Sequence, residues 1–123
     1  MSDNIGKIGW IDMTVDDATG LRDFYKEVVG WKVEDTNMGD YSDYTMMSPA
    51  DGAAIAGVCH ARGSNSELPG GWLIYITVAD VAASAAACVA NGGKLLVEPR
   101  GLAGGSFCVI EDPSGATSAL YQP

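Results

Sequence analysis

Thr14-Val15-Asp16-Asp17 recurs as Thr77-Val78-Ala79-Asp80, a displacement of 63 residues without a gap, and this recurrence decides the fold. The same displacement carries Gly30 onto Gly93 and Gly52 onto Gly115. Overall identity between the halves is low, and a chain this rich in Ala and Gly gives some matches by chance. The matched positions, however, are a strand end with a helix cap, a helix stop and a turn, where local geometry allows few residue types.

Around the first copy, Ile8–Val15 reads as a strand. Asp17 stands where a carboxylate accepts from the free amides of a first helical turn. Leu21, Phe24, Tyr25 and Val28 follow at helical spacing, and Gly30 supplies the left-handed stop. Further strands are predicted over Trp31–Asp35 and Tyr44–Ser48, then, after Pro49-Ala50-Asp51-Gly52, over Ala53–His60. Arg62–Gly71 is a polar linker bearing Gly and Pro. The second half repeats the plan, with a strand over Trp72–Val78 and a helix from the Asp80 cap to about Ala90, stopped by Asn91-Gly92-Gly93. Lys94–Glu98 is the next strand, and Ser106–Ile110 with Ala116–Gln122 make a hairpin around Asp112-Pro113-Ser114-Gly115.

The expected fold is therefore α+β: one domain over residues 1–123, built from two tandem βαβββ units at 5–61 and 72–123 joined by the linker 62–71. One helix covers only one face of a four-stranded sheet. Two such mixed sheets can curl and face one another, within a chain or across a dimer, as a cup whose lining is the natural ligand site.

Composition removes several function classes. With 47% hydrophobic and 19% charged residues, the chain is expected to fold rather than stay disordered. Sixteen acids against seven bases give a net charge of −9, without the basic footprint that nucleic acid requires. Neither a membrane-length apolar run nor a signal peptide at Met1-Ser2-Asp3-Asn4 is apparent, so a cytoplasmic protein is expected. Cys59, Cys88 and Cys108 are odd in number and lack CxxC spacing, as reduced thiols do; Cys88 and Cys108 read as small core hydrophobes.

Val15-Asp16-Asp17, Phe24-Tyr25 and Val29-Gly30-Trp31 resemble the "VxD…FY…xLGW" opening of the vicinal-oxygen-chelate superfamily, which includes glyoxalases, bleomycin-resistance proteins and extradiol dioxygenases. Tyr75-Ile76-Thr77-Val78-Ala79-Asp80, Asn91-Gly92-Gly93 and Glu111-Asp112-Pro113-Ser114-Gly115-Ala116 are similar to its second half. Leu120-Tyr121-Gln122-Pro123 resembles the "DPxGAxxxLWQP" ending of a bacterial subgroup of mostly unassigned function. The resemblance implies a cup with four metal ligands, usually His and Glu, one each from the opening and closing strand of each unit. Counted from the strand-end valines and the turn glycines, those positions here are Trp10, Leu73, Ala56 and Ala119. None is a donor, so no metal and no other cofactor is expected, and neither is metal-dependent glyoxalase or dioxygenase activity.

If positions 10 and 73 face the cup, strand alternation adds Asp12, Thr14, Tyr75 and Thr77, and from the closing strands Ala54, Ala56, Val58, His60, Thr117, Ala119 and Tyr121. The candidate ligand-binding set is Trp10, Asp12, Ala56, His60, Leu73, Tyr75, Ala119 and Tyr121, with Asp12 the candidate catalytic group. A carboxylate in an aromatic-walled cup can serve as general base or as an anchor for a cation; alternatively it bonds hydroxyls across the sheet. His60 reads otherwise as a solvated strand-end residue, Trp10 and Tyr75 as core, and Arg100 as a solvated loop residue rather than an anion clamp at the cup mouth.

Three functions compete. One is a metal-free binder of a small aromatic or cationic molecule, like the antibiotic-sequestering members of the superfamily. Another is a metal-independent enzyme of isomerase, lyase or hydroxylase type using Asp12 as acid/base, and the third a structural or sensory domain with a filled cup. A homodimer is expected, because helix faces and edge strands are left partly uncovered.

Overall fold

In the computed structural model, which describes residues 3–123, the chain packs as two compact units. The N-terminal unit is Ile11–Trp72, and the C-terminal unit joins the described residues up to Trp10 with Leu73–Pro123. The N-terminal unit takes β1 (Ile8–Val15) from Ile11 onward, then α1 (Ala18–Val29), β2 (Lys32–Asn37), β3 (Ser42–Met47) and β4 (Ala54–His60). The C-terminal unit holds β5 (Trp72–Thr77) from Leu73, α2 (Val81–Ala90), β6 (Lys94–Leu102), β7 (Gly105–Glu111) and β8 (Thr117–Gln122).

The strand order is β2-β3-β4-β1 in one unit and β6-β7-β8-β5 in the other. Each sheet is mixed: two antiparallel pairings, then a parallel one, β4 with β1 and β8 with β5. This is the βαβββ plan twice over, in the α+β class. Neither helix is long and apolar enough to cross a membrane.

The repeated signals act as the repeat requires. Asp17 Oδ1 accepts from Gly20 N at 2.9 Å and Asp80 Oδ1 from Ala83 N at 3.1 Å, each satisfying an amide that its helix cannot. Gly30 closes α1 at φ 83°, a left-handed conformation a side chain would strain. The β3–β4 and β7–β8 turns are each tied by an aspartate: Asp51 Oδ1 accepts from Ala53 N, and Asp112 Oδ1 from Ser114 N and Ala116 N.

Each helix covers one sheet face. Between α1 and its sheet pack Ala18, Tyr44, Met46 and Val58, flanked by Val15, Leu21, Tyr25, Trp31 and Val33. Between α2 and its sheet pack Val81, Ala85, Cys108 and Leu120, flanked by Ile76, Val78, Leu95 and Ile110. The apolar spacing on α1 does produce a helix, but its stripe is wider than the sheet beneath can cover. Leu21 and Tyr25 pack inward, whereas Phe24 and Val28 stay 55% and 64% exposed.

Strand limits differ from expectation at the edges. β2 runs to Asn37 and β3 begins at Ser42. β6 continues past Glu98 to Leu102 although Pro99 cannot donate to a ladder; register shifts at Leu95/Val97 and Val97/Arg100 absorb it on this outer strand.

One difference reaches the site. In the C-terminal unit Tyr75 pairs with Ala119 and Thr77 with Tyr121. Carried back 63 residues, these pairs would set Asp12 beside Ala56 and Thr14 beside Val58; the observed partners are Gly57 and Cys59. The β3–β4 hairpin thus sits one residue out of step, and such a slip exchanges the faces of all its side chains. The cause lies in β3, where Tyr44 and Met46 are the bulky apolar residues and turn toward α1, opposite Val58 and Ala56. A shift between Met46 and Met47 then breaks the alternation at Ile55.

Met46→Ala, at a fully buried site, should cost about 2–5 kcal/mol of stability. Val89→Ala, at a residue 56% exposed on α2, should change it by no more than about 0.5 kcal/mol. Urea unfolding of both variants checks the assignment of the core.

Candidate functional site

On the N-terminal unit's face away from α1, β1 presents Asp12 and Thr14, and β4 presents Gly57 and Cys59 in register beside them. Gly57 contributes no side chain beside Asp12. From β3 comes Asp43, a buried carboxylate whose Oδ1 accepts from His60 N at 2.8 Å. Burial pushes the Cys59 thiol up to about 12, with the Asp12 and Asp43 carboxylates and a hydrogen bond to Asp43 adding to the effect. Cys59 is therefore a protonated, unreactive thiol among acids.

Ala56 and His60, expected on this face, are on the other. His60 pairs with Val15, which packs under α1, and its ring stands 6.0 Å from Tyr44 and 5.5 Å from Tyr41. Its Nδ1 donates to Ser42 O at 2.9 Å and lies 3.5 Å from Asp43 Oδ1, so it is a tethered side chain and not a solvated one. Ala56 is buried opposite Met46.

The C-terminal unit keeps its expected face. Leu73, Tyr75 and Thr77 alternate onto one side of β5, beside Ala119 and Tyr121 of β8. Phe107, paired with Tyr121, extends that face, with its ring 6.2 Å from Tyr75. Arg100 is half-buried on a strand rather than in a loop: it pairs with Phe107 across β6–β7 and sets its guanidinium 5.3 Å from that ring's centre. Tyr121 Oη donates to Ala103 O at 3.2 Å. Leu73, Tyr75, Phe107 and Ala119 are each 5% exposed or less. Trp10, on the same side of β1 as Asp12 by alternation, is half-buried, and the division between units falls just after it.

A cleft of about 430 Å³ opens in the N-terminal unit where β1 and β4 end and the linker passes. Thr14, Val15, Asp16, Ala61 and Leu68 line it, so Thr14 connects the face carrying Asp12 with the cleft.

Phe107, Asp43 and Cys59 were missed in the sequence. Pairing β7 with β8 about the Asp112–Gly115 turn would have found Phe107. Asp43 would have followed from the alternation of Asp43 and Thr45 with Tyr44 and Met46.

The chain matches the family described as the Glyoxalase/Bleomycin resistance protein/Dioxygenase superfamily over residues 7–120. It belongs to that superfamily. It is 28% identical over 119 residues to the "Putative glyoxylase CFP32" of Mycobacterium bovis, an alignment covering 95% of this chain and 46% of the relative. With the "Anthracycline biosynthesis protein DauV" of a Streptomyces species (strain C5) it is 26% identical over 133 residues, 95% of this chain and 47% of that one. The chain thus spans about half the length of these curated relatives. Among solved structures, a Streptomyces coelicolor methylmalonyl-CoA epimerase bound to 2-nitronate-propionyl-CoA matches with TM-score 0.58 at 22% identity, over 96% of this chain and 94% of that one. The Mycobacterium tuberculosis methylmalonyl-CoA epimerase matches with TM-score 0.56 at 17% identity, over 100% and 92%. These likenesses concern the fold.

The superfamily's metal does not fit the residues here. Trp10, Leu73 and Ala119 offer no ligand atoms, and the register replaces Ala56 by Gly57 as the closing position of the N-terminal unit, which offers none either. Among the described residues no three His, Cys, Asp or Glu side chains stand together as a metal would need.

The Cys59 shift predicts a pH effect. An unfolded chain ionises this thiol near 9.0, whereas the folded one holds the proton to about 12. The folded state binds more protons in between, so stability should fall as pH rises through that window. Thermal unfolding of wild type should lose stability there more steeply than Cys59→Ser; equal slopes would place Cys59 in solvent.

Proposed function

We propose that this chain binds a small organic molecule without the superfamily's metal, with Asp12 as the charged contact. The observation that carries this reading is the N-terminal unit's face, where Asp12 stands beside side-chain-free Gly57 and Thr14 leads into the cleft. An acidic chain with a carboxylate at this position suits a cationic ligand, and an aromatic body suits the apolar lining of Val15, Ala61 and Leu68. The relatives' names bear on size rather than charge: one is assigned to anthracycline biosynthesis, and the epimerase structure holds a CoA ester analogue. Both ligand classes are bulky organic molecules. The C-terminal unit's face leaves little room by comparison, since Leu73, Tyr75, Phe107 and Ala119 are already covered.

A second reading, a metal-independent isomerase or lyase with Asp12 as acid/base, is favoured by one observation. Asp12 and Asp43 both act on the Cys59 thiol, which places two carboxylates near one another in a partly dehydrated patch. A carboxylate held in such a patch is the kind of group a general base requires. On either reading the protein works in the cytoplasm as a homodimer.

Asp12→Asn keeps the side chain's shape and removes its charge. Thermal-shift screening with aromatic cations should find ligands that stabilise wild type and bind the variant at least about tenfold more weakly, roughly 1.4 kcal/mol. Ligands that stabilise both proteins equally would place the pocket away from Asp12. Elemental analysis of purified protein should give far less than one Zn, Ni, Mn or Fe per chain, and glyoxalase activity should stay absent when divalent ions are added. A stoichiometric metal would contradict the metal-free reading.

A further inference from the structure

The two copies of the repeated tetrapeptide differ at a single place. Thr14-Val15-Asp16-Asp17 has a carboxylate where Thr77-Val78-Ala79-Asp80 has a methyl group. The shared residues serve the fold: Thr and Val lie at a strand end, and Asp17 and Asp80 cap the helices that follow. Ala79 shows that such a turn needs no acid at its third place. Asp16 is exposed, is not the cap of α1, and forms no ion pair with any described residue.

Asp16 stands instead on the cleft of about 430 Å³. The linker folds back to make the facing wall: Ala61 N donates to Val15 O at 2.9 Å, Ser66 N to Gly63 O at 3.3 Å and Leu68 N to Asn65 O at 3.2 Å. Thr14 and Ser66 bring hydroxyl groups to the lining, and Val15, Ala61 and Leu68 bring apolar surface. No aromatic ring and no basic side chain is among the lining residues. Arg62, the single base of the linker 62–71, is engaged elsewhere. It lies 3.3 Å from Asp40 Oδ2, with its guanidinium 4.3 Å from the centre of the Tyr41 ring.

We propose that this cleft binds a primary amine, with Asp16 as the contact for its ammonium group and the Thr14 and Ser66 hydroxyls as further acceptors. An ammonium carries three N–H donors and no acceptor, which suits a lining of one carboxylate and two hydroxyls. Its bond to a carboxylate is charge-assisted, stronger than one between neutral groups. A quaternary ammonium has no N–H to donate and is recognised by aromatic faces, which this lining lacks. An anionic ligand would meet the like charge of Asp16. The proposal rests on the reading that the cleft receives an organic ligand, and it does not require Asp12 to touch the amine.

NMR titration of the isotope-labelled full chain with phenethylamine, phenethyltrimethylammonium and phenethyl alcohol tests it. The amine should shift the amides of Val15, Asp16, Ala61 and Ser66, and bind at least about tenfold more tightly than the other two. Asp16→Ala, which copies the second tetrapeptide, should raise the Kd for the amine at least about tenfold. The rest of the spectrum reports whether that variant folds; if it does not, Asp16→Asn repeats the test with the shape kept. An alcohol that binds the cleft as tightly as the amine overturns the proposal and leaves the cleft standing as an organic-ligand site. So does a folded Asp16 variant that binds the amine as tightly as wild type. Shifts confined to the amides of Asp12 and Gly57 overturn it and leave the Asp12 face standing. No shift with any of the three probes overturns it together with the cleft as a ligand site.

Discussion

The parallel ladder between β1 and β4 places Gly57 beside Asp12 and Cys59 beside Thr14, and much of the N-terminal unit follows from that register. It brings Asp12 and Asp43 to bear on one half-buried thiol and sends Val58 beneath α1. It also places His60 against Tyr44 and the Ser42 carbonyl, where its ring nitrogen is occupied. Because side chains alternate along a strand, no part of this arrangement survives a shift of one residue. A buried hydrophobic pair in β3, Tyr44 and Met46, holds the register in place: exposing both would cost several kcal/mol, more than any single polar contact on the opposite face could return.

The two units share a plan and differ in what they do with it. In the C-terminal unit, β5 and β7 carry large apolar side chains on the face away from α2, and Leu73, Tyr75 and Phe107 fill it. In the N-terminal unit the corresponding face is acidic and small: Asp12, Thr14, Gly57, Cys59 and Asp43. Packing is thus concentrated on one repeat and polar chemistry on the other. The helices are unequal as well. α2 is largely Ala, while α1 presents more bulk than its own sheet can cover.

Most of the fold was legible because its punctuation is chemical. Asp17, Asp80 and Gly30 are residues that helix ends demand, and Gly52 and Gly115, at φ 72° and 89°, supply left-handed turn conformations. The faces were less legible. Thr14 and Tyr75 could be placed by alternation from a strand whose bulky and polar residues take turns. β4 reads Ala54-Ile55-Ala56-Gly57-Val58-Cys59-His60, small or apolar on both sides, so its own pattern carries no information about which side is buried. The missing information lay one strand away, in Asp43 and Thr45 alternating with Tyr44 and Met46. Arg100 escaped for a related reason. Pro99 suggests that the strand stops at Glu98, whereas the bulged outer strand continues and lays Arg100 on Phe107.

The register can be read directly by isotope-edited NMR. Side chains paired across a parallel ladder sit within reach of a nuclear Overhauser effect, while those displaced by one residue lie on opposite faces of the sheet. Cross-peaks from the Thr14 methyl to the Cys59 β-protons, together with peaks from the Val15 methyls to the His60 β-protons, are the expected result. Strong cross-peaks from the Thr14 methyl to the Val58 methyls, with none to Cys59, would put Ala56 beside Asp12 and contradict the account of the site.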